Sequence, residues 1–280
     1  MSGDAAAAVL TVRPLLETAT VKVRDLRLRS AGSAPSEEQC AGSTHLVFPY
    51  RGTFVRHLGR KISVGEPSQV LFYNEGDAYR LSLPLGECGS LAVTIHESLL
   101  RELAPKGLLR DDATAFQQAR LRIDARAQVL VALLRHGLHQ ATAELLEAES
   151  LALTLVQRAL GPRTSHAAGA TLGRQQLADR AKLVLASDLA RRWSLAEVAA
   201  EVGCSPVYLT QVFRQVEGMP LYRYQLRMRL ARALDLLTRY DDLTALSLEL
   251  GFSSHSHFSA AFREVYRRSP SDFRQMASQR

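Results

Sequence analysis

Residues Leu195–Phe213 read Leu-Ala-Glu-Val-Ala-Ala-Glu-Val-Gly-Cys-Ser-Pro-Val-Tyr-Leu-Thr-Gln-Val-Phe. The apolar residues recur at helical spacing on both sides of the glycine, which predicts two short helices joined by a tight turn. Gly203 ends the first helix, because glycine enters the left-handed conformation without steric cost. Ser205 can cap the second helix, and Pro206 suits its first position. This order is typical of a helix-turn-helix, whose second helix enters the major groove.

The same pattern occurs again at Leu243–Phe262, which reads Leu-Thr-Ala-Leu-Ser-Leu-Glu-Leu-Gly-Phe-Ser-Ser-His-Ser-His-Phe-Ser-Ala-Ala-Phe. Gly251 corresponds to Gly203, and the second turn is predicted to be one residue longer. A repeat of this kind is much harder to obtain by chance than a single match. Between the copies, Leu221–Tyr240 predicts a connecting helix of about 28 Å. That length is close to the ~34 Å between successive major-groove faces of duplex DNA.

Residues 175–276 resemble the DNA-binding domain of the AraC/XylS family of bacterial transcription regulators. Two positions depart from the family pattern. Ser247 stands where the family has alanine, and Arg267 stands where it has glycine, so the end of the second recognition helix is expected to be strained or reshaped. The residues that carry the resemblance are Ala199, Gly203, Ser205, Tyr208, Leu209, Val212, Phe213, Arg214, Gly218, Gly251, Phe252, Ser253, His257, Phe258, Phe262, Arg263, Ser269, Pro270, Phe273 and Arg274.

The charge distribution agrees with a nucleic-acid-binding domain at the C-terminal end. The formal net charge is +7; from Thr171 onward 16 Lys+Arg face 11 Asp+Glu, and the 170 residues before hold 19 against 17. Most of the excess therefore lies in the shorter part. Three cysteines at unrelated spacings predict no disulfide framework and a cytoplasmic location. The first residues do not predict a signal peptide, and no segment approaches the ~20 apolar residues of a membrane helix.

The N-terminal half has a β-rich pattern. Residues 1–20 are predicted to be a poorly ordered lead, Val21–Arg29 a strand with a bulge at Asp25, and residues 30–43 a loop. Short extended runs alternating with turn sequences then predict a sandwich or barrel. The family resemblance implies a cupin-like β-barrel that acts as a sensor. The six runs are His45–Phe48, Thr53–His57, Lys61–Val64, Gln69–Tyr73, Ala78–Leu83 and Leu91–Ile95.

Helical patterning returns after the strands. One helix is predicted from Ala113 to His136, ended by Gly137, and a second from Leu138 to Leu160, together forming an antiparallel hairpin. The apolar stripe of the second helix either packs on the barrel or forms a dimer seam, as the resemblance implies, and the sequence leaves both open.

The predicted fold class is therefore α+β and multidomain. Residues 1–110 form a cupin-like sensor and ligand-binding β domain, residues 111–160 a dimerisation hairpin, and residues 161–174 a flexible linker. Residues 175–280 form an all-α DNA-binding domain with two helix-turn-helix motifs joined by a long helix.

No active-site signature appears in the N-terminal half. Metal-dependent cupins use a His-x-His pair, and residues 1–110 contain none. The side chains that could gather around zinc share no ligand spacing: His45, His57, His96, Cys40 and Cys88. We therefore expect no enzymatic activity, no cofactor and no metal. The N-terminal half is expected to bind a small molecule or to serve as a structural platform. Its candidate pocket-lining residues are Phe54, His57, Phe72 and Tyr79.

The exposed polar positions of the two recognition helices are the predicted DNA contacts. Gln211 can pair with adenine, and Val207 can contact a thymine methyl. The serines and histidines of the second helix suit phosphate contacts and looser base readout. Arg214 and Arg263 either contact phosphate or form an ion pair within the domain. The full set is Ser205, Val207, Thr210, Gln211 and Arg214 in the first copy, and Ser254, His255, Ser256, His257, Ser259 and Arg263 in the second.

The sequence thus predicts a sequence-specific transcription regulator controlled by a small-molecule effector. The expected partners are double-stranded DNA, RNA polymerase, the effector and a second copy of the chain, with no membrane. One alternative is a regulator whose barrel only dimerises or binds a protein. The other is a cupin enzyme fused to a DNA-binding module, which the missing His-x-His disfavours.

Overall fold

The computed structural model describes residues 9–30, 34–110, 114–161 and 171–279. The chain divides into two compact units, residues 1–162 with 271–280, and residues 163–270. The described part of the first unit contains strands β1 (Val9–Glu17), β2 (Val21–Arg29), β3 (Gln39–Cys40), β4 (His45–Gly52), β5 (Phe54–Leu58), β6 (Lys61–Gly65), β7 (Gln69–Tyr73), β8 (Ala78–Ser82), β9 (Glu87–Ile95) and β10 (Arg120–Arg122). Its helices before residue 162 are α1 (Glu97–Leu103), α2 (Ala125–Gln140) and α3 (Leu145–Leu160).

The strands form two antiparallel sheets. The larger has the order β1-β2-β9-β4-β7-β10, and the smaller has the order β3-β8-β5-β6. The closed barrel that the cupin-like prediction required is not found among the described strands. The strands form two separate sheets that each end in edge strands. β10 is an edge strand of the larger sheet and β6 is an edge strand of the smaller one.

The larger sheet is covered on both faces. On one face, Val23, Phe48 and Val93 pack in a core with Val131 of α2 and Val156 of α3. On the other face, residues of alternate parity pack against the smaller sheet in a second core that contains Leu28, Val47, Phe54, Leu71, Tyr73 and Ala92. Because side chains alternate across a strand, each central strand contributes to both cores. The first unit therefore has three layers, with helices, the larger sheet and the smaller sheet in that order.

The six runs predicted between His45 and Ile95 all form strands. The prediction of a poorly ordered lead is wrong for residues 9–17, because β1 pairs along its length with β2. The register shift lies in β1 between Pro14 and Leu16, and β2 pairs regularly with β9, so the bulge predicted at Asp25 is also wrong. Residues 1–8 and 31–33 lie outside the described residues.

The helical hairpin exists with different bounds. Asp124 caps α2, since its side chain accepts a hydrogen bond from the Ala127 amide, so the helix begins well after the predicted Ala113. Gly137 does not end α2, because it is buried inside the helix, and Ala141 in the left-handed conformation ends it instead. α3 consequently begins at Leu145 and packs on α2 and the sheet.

A buried polar cluster ties α2 to the larger sheet. Tyr50 donates a 2.6 Å hydrogen bond to the Asp25 carboxylate, and His139 donates to the other oxygen of that carboxylate at 2.6 Å. The Arg135 guanidinium lies 4.2 Å from the centre of the Tyr50 ring. Burial, reinforced by Asp25, raises the pKa of Tyr50 to about 12. The phenol is therefore neutral at pH 7 and able to donate.

The second unit is helical. Its elements are α4 (Leu172–Ser187), α5 (Leu195–Glu201), α6 (Pro206–Glu217), α7 (Leu221–Leu236), α8 (Leu243–Glu249) and α9 (His255–Tyr266). The last helix, α10 (Pro270–Gln279), begins at the final residue of this unit, and its residues from 271 onward are grouped with the first unit. The connecting helix α7 ends at Leu236, short of the predicted Tyr240, so it is about 24 Å long. Of the predicted linker 161–174, residues 162–170 lie outside the described residues, and Thr171 is the N-cap of α4.

A buried ion cluster fixes α4 to the rest of this unit. The Lys182 side chain is fully buried, with its Nζ 2.6 Å from Glu217 of α6 and 3.7 Å from Asp179 of α4. The same ammonium lies 5.7 Å from the centre of the Tyr224 ring on α7. One cation thus joins three helices. None of the helices in the described residues is both long and apolar enough to cross a membrane.

Candidate nucleic-acid interface

The first helix-turn-helix consists of α5 and α6. Ser194 and Glu197 form a capping box at the start of α5, where each side chain accepts a hydrogen bond from the other residue's backbone amide. Gly203 has φ +71 in the turn. The Ser205 hydroxyl accepts a 3.2 Å hydrogen bond from the Tyr208 amide and so caps α6, as the sequence predicts. The buried Val198 and Phe213 hold the two helices together.

The second helix-turn-helix, α8 and α9, repeats this geometry. Gly251 has φ +78, and the Ser254 hydroxyl caps α9 by accepting a hydrogen bond from the His257 amide at 3.1 Å. Two residues lie between this glycine and its cap and one lies between Gly203 and Ser205, which confirms the predicted longer turn. Ser247 is fully buried and donates to the Thr244 carbonyl at 2.8 Å, so the hydroxyl is satisfied where alanine was expected.

The two recognition helices end in the same backbone conformation, but the residue at that position differs. Gly218 ends α6 with φ 62, and Arg267 ends α9 with φ 59. A residue with a side chain is strained in this left-handed conformation, and glycine is not. The strain expected from the sequence at Arg267 is therefore present in the structure.

The outward face of α6 presents the residues predicted to contact DNA. Val207 is 67% exposed, and Gln211 and Arg214 are also exposed. Within the described residues, the side chains of Gln211 and Arg214 make no hydrogen bond and no ion pair. Thr210 is exposed but donates to the Pro206 carbonyl at 3.0 Å.

The outward face of α9 carries shorter side chains than that of α6. Ser256, His257 and Arg263 are exposed, whereas His255 and Ser259 are half-buried and contact each other at 3.3 Å. His257 lies 3.3 Å from the Ser253 hydroxyl. Of the two alanines in this helix, Ala260 is exposed but Ala261 is buried in the core, so only Ala260 is an outward alanine.

Comparison with known proteins identifies the class of this arrangement. A family profile described as "Helix-turn-helix domain" matches residues 198–276. The regulatory protein PocR of Salmonella typhimurium is 31% identical over 86 residues, which are 30% of this chain and 28% of PocR. The probable transcriptional regulator LumQ of Photobacterium leiognathi is 26% identical over 222 residues, which are 76% of this chain and 84% of LumQ. The C-terminal part of the chain is an AraC-type helix-turn-helix domain.

The chain spans less than a third of the length of PocR, so its likeness to that protein is that of one domain. Among solved structures, a transcriptional regulator from Chromobacterium violaceum, described with AraC-type DNA-binding domain-containing proteins, is 29% identical. The match covers 39% of this chain and 98% of that one, with a TM-score of 0.37.

One arginine joins the two halves of the AraC-type domain. Arg229, on α7, donates to the Leu189 carbonyl at 2.6 Å, to the Arg191 carbonyl at 2.9 Å and to the Gly251 carbonyl at 2.9 Å. The first two carbonyls precede the first helix-turn-helix, and the third lies in the turn of the second. Burial lowers the pKa of Arg229, but the ordinary value lies so far above neutrality that the side chain stays charged. The two motifs are therefore held together by a charged side chain between them.

A second group of charged side chains lies at the start of the first helix-turn-helix. The Arg191 guanidinium stacks 4.0 Å from the centre of the Trp193 ring and pairs with Glu197 at 2.6 Å. The hydrogen bond from the Ser194 amide lowers the pKa of Glu197 to about 2, with Arg191 acting in the same direction. The carboxylate is therefore ionised at neutral pH and keeps the cap in place.

The four pocket-lining candidates of the first unit are not brought together. Phe54 and Tyr79 lie in the core between the two sheets, with the Phe54 ring over Gly65. Phe72 points to the opposite face and stacks on Phe116 at 4.1 Å. His57 is half-buried and contacts the Ser82 hydroxyl at 2.8 Å. Across the described ranges, no group of three or more His, Cys, Asp or Glu residues is placed to hold a metal ion.

Sequence reasoning missed the charged residues of the inter-sheet core. On β5, Arg56 shares its face with the apolar Phe54 and Leu58, and a charged residue at the apolar phase of a strand is the signal that could have singled it out. Arg24 on β2 gave no such signal, because it follows the basic Lys22 at the same phase. Arg229 gave no comparable signal, because it lies among other arginines on α7.

Proposed function

We propose that this chain is a sequence-specific, DNA-binding transcription regulator. One observation carries the proposal: two complete helix-turn-helix motifs in one unit, each with a capped recognition helix whose outward side chains are exposed. An exposed helix N-terminus also offers backbone amides to phosphate. Double-stranded DNA is thus the proposed ligand of Ser205, Val207, Thr210, Gln211 and Arg214, and of Ser254, His255, Ser256, His257, Ser259 and Arg263.

The two motifs divide the labour of recognition in this proposal. Gln211 and Arg214 are long planar side chains that can discriminate bases or grip phosphate. The second helix offers shorter groups, several of which already bond to one another. We expect the first motif to supply most of the sequence specificity and the second mainly to anchor the domain.

Substitution of Gln211 tests the proposed readout. Gln211→Ala should cost about 1–3 kcal/mol on the cognate site and relax the preference at one base pair, since a good bidentate pair contributes that much discrimination. Binding of the full chain to a set of single-base operator variants would measure both effects. His257→Ala is the companion variant and should weaken binding evenly across sequences. An even loss for Gln211→Ala, or an altered base preference for His257→Ala, would contradict this division.

The first unit is proposed to be the regulatory part, a sensor that binds the effector. It is called cupin-like only because it has two sheets, and it is not proposed to be an enzyme. RNA polymerase is the proposed protein partner at the promoter, and a DNA ligand implies a cytoplasmic location. The second candidate function, a unit that only dimerises or binds a protein, is favoured by the apolar residues that the hairpin leaves exposed. These are Leu145 and Leu146, of which Leu146 is 73% exposed.

Dimerisation through the hairpin can be tested at Leu146. The buried stripe of α3, including Val156 and Leu160, packs on the sheet, so a seam would have to use the exposed start of the helix. Leu146→Asp should convert a dimer to a monomer and lower DNA affinity by loss of avidity. Sedimentation velocity measures the first effect, and an unchanged far-UV melting curve excludes misfolding. A variant that stays dimeric, with unchanged DNA affinity, would place the seam elsewhere.

A further inference from the structure

A buried arginine of the smaller sheet reaches across to the larger one. Arg56, on β5, is 1% exposed. Its Nη1 donates to the Phe72 carbonyl at 2.6 Å, and its Nη2 donates to the Ala119 carbonyl at 2.8 Å. The guanidinium carbon lies 4.5 Å from the centre of the Tyr73 ring. Its Nε is buried and has no hydrogen-bond partner in the described structure. The contacts of this cation are therefore neutral dipoles and an aromatic ring.

A second arginine faces the same layer from the larger sheet. Arg24 of β2 pairs with Ala92, Ala92 pairs with Val47, and Val47 pairs with Leu71. Directly paired residues of an antiparallel sheet point to the same face, and the last three lie in the inter-sheet core, so Arg24 faces it too. Arg24 is half-buried, and its Nε is buried with no hydrogen-bond partner among the described residues.

Aromatic side chains surround these two cations. His45 and Tyr73 stack with ring centres 5.0 Å apart, and Tyr79 meets Tyr73 edge-on at 4.9 Å. Burial raises the pKa of Tyr79, and the positive charges of Arg56 and Arg24 oppose that rise. Burial lowers the pKa of His45, and the same two arginines lower it further. The fields of both arginines thus reach the same two side chains. We call Arg24, His45, Arg56, Tyr73 and Tyr79 the inter-sheet cluster.

The inter-sheet cluster has positive charge without a described counter-ion. Neither arginine forms an ion pair with any described carboxylate. Glu17, whose pKa the charge of Arg24 helps to lower, pairs with Lys22 at 2.6 Å, and Asp25 pairs with His139. Removing a charge from water is costly unless an opposite charge accompanies it. Arginine forms its strongest pairs with carboxylates and phosphates, and His45, Tyr79 and Arg24 are accessible enough for solvent to reach the cluster.

We propose that the inter-sheet cluster binds a small organic carboxylate, with the carboxylate paired to Arg24 and Arg56 and an apolar body against Tyr73 and Tyr79. This rests on the proposed regulatory function of the first unit and names the chemical class of its effector. The aromatic rings favour an apolar body over a bare inorganic anion, because apolar contacts with them are gained only when the ligand has carbon to bury. A neutral analogue leaves the two charges uncompensated.

Thermal unfolding of the full chain at constant ionic strength tests the proposal. The probes are phenylacetate and hexanoate, with phenylacetamide and hexanamide as neutral counterparts. We expect either carboxylate to raise the Tm with a saturating dose dependence, because a ligand that binds only the folded state stabilises it. The amides should have no effect. In Arg24→Gln the carboxylate response should be lost while the ligand-free Tm equals or exceeds that of the wild type. Arg29→Gln, at an exposed position of the same strand, should keep the response.

Three results would overturn the proposal: no Tm rise with either carboxylate, an equal rise with the amides, or a full response in Arg24→Gln. A rise with inorganic phosphate alone would also overturn it, because the apolar body would then play no part. DNA binding by the same preparation separates this proposal from the function it rests on. Specific DNA binding without a carboxylate response removes only the effector class, whereas a carboxylate response without DNA binding removes the regulator function.

Discussion

Lys182→Met is expected to destabilise the second unit by about 3–5 kcal/mol, the cost of breaking a buried ion pair by removing one partner. The variant leaves Glu217 and Asp179, both buried, without the ammonium that lies 2.6 and 3.7 Å from them. Methionine fills a similar volume, so the loss comes from the missing ammonium and not from a cavity. Trp193, the sole tryptophan, lies in this unit and reports its unfolding by fluorescence during urea titration of the full chain.

Two further variants isolate the electrostatic cause. Lys182→Met combined with Glu217→Leu should recover most of the lost stability, because replacing both members of a buried pair with apolar residues is often nearly neutral. Arg180→Met, on the exposed face of the same helix, should change stability by less than about 0.5 kcal/mol. If the double variant is as unstable as Lys182→Met alone, then packing around α4 and not the buried charge sets the loss.

The ion cluster also shows where sequence reasoning stops. The helix-turn-helix motifs were predictable because their signals are local: a glycine with positive φ, a serine cap and apolar residues at fixed spacing act within about ten residues. Lys182 and Glu217 are 35 positions apart, and nothing in either neighbourhood indicates that they meet. The pairing of β9 with both β2 and β4 is equally non-local, so a barrel and two separate sheets have the same strand pattern.

Local signals also failed where tertiary packing overrode them. Gly137 has the residue type of a helix end, yet it is buried and lies inside α2. β1 lacks a strong alternating pattern because most of its residues are exposed, and its pairing with β2 makes it a strand. In the candidate DNA interface, the outward positions of α6 followed from helical spacing alone. The burial of Ala261 and the mutual contact of His255 with Ser259 depend on how α9 is rotated in its unit.

Gly251→Ala is expected to cost about 2–5 kcal/mol in stability and to lower DNA affinity more than tenfold. The left-handed backbone at φ +78 contributes about 1–2 kcal/mol of strain for alanine. The added Cβ would also lie 2.3 Å from the Ala190 carbonyl oxygen and 2.6 Å from its Cα. Backbone cannot move aside as a flexible side chain can, and overpacking of this kind adds about 1–3 kcal/mol. Relief requires the turn of the second motif to move away from the segment before the first.

Gly203→Ala is the matched control, because Gly203 occupies the equivalent turn with φ +71 but a Cβ there meets nothing within 4 Å. It should cost only the backbone strain, about 1–2 kcal/mol. The difference between the two variants therefore measures the contact that holds the motifs in register, to which Arg229 also contributes through the Gly251 carbonyl. A variant whose second motif is displaced should bind the intact operator more weakly than the wild type does. It should bind a half-operator that only the first motif contacts as tightly as the wild type does. Equal losses in stability and DNA affinity for the two variants would show that the two motifs need no fixed spacing to bind.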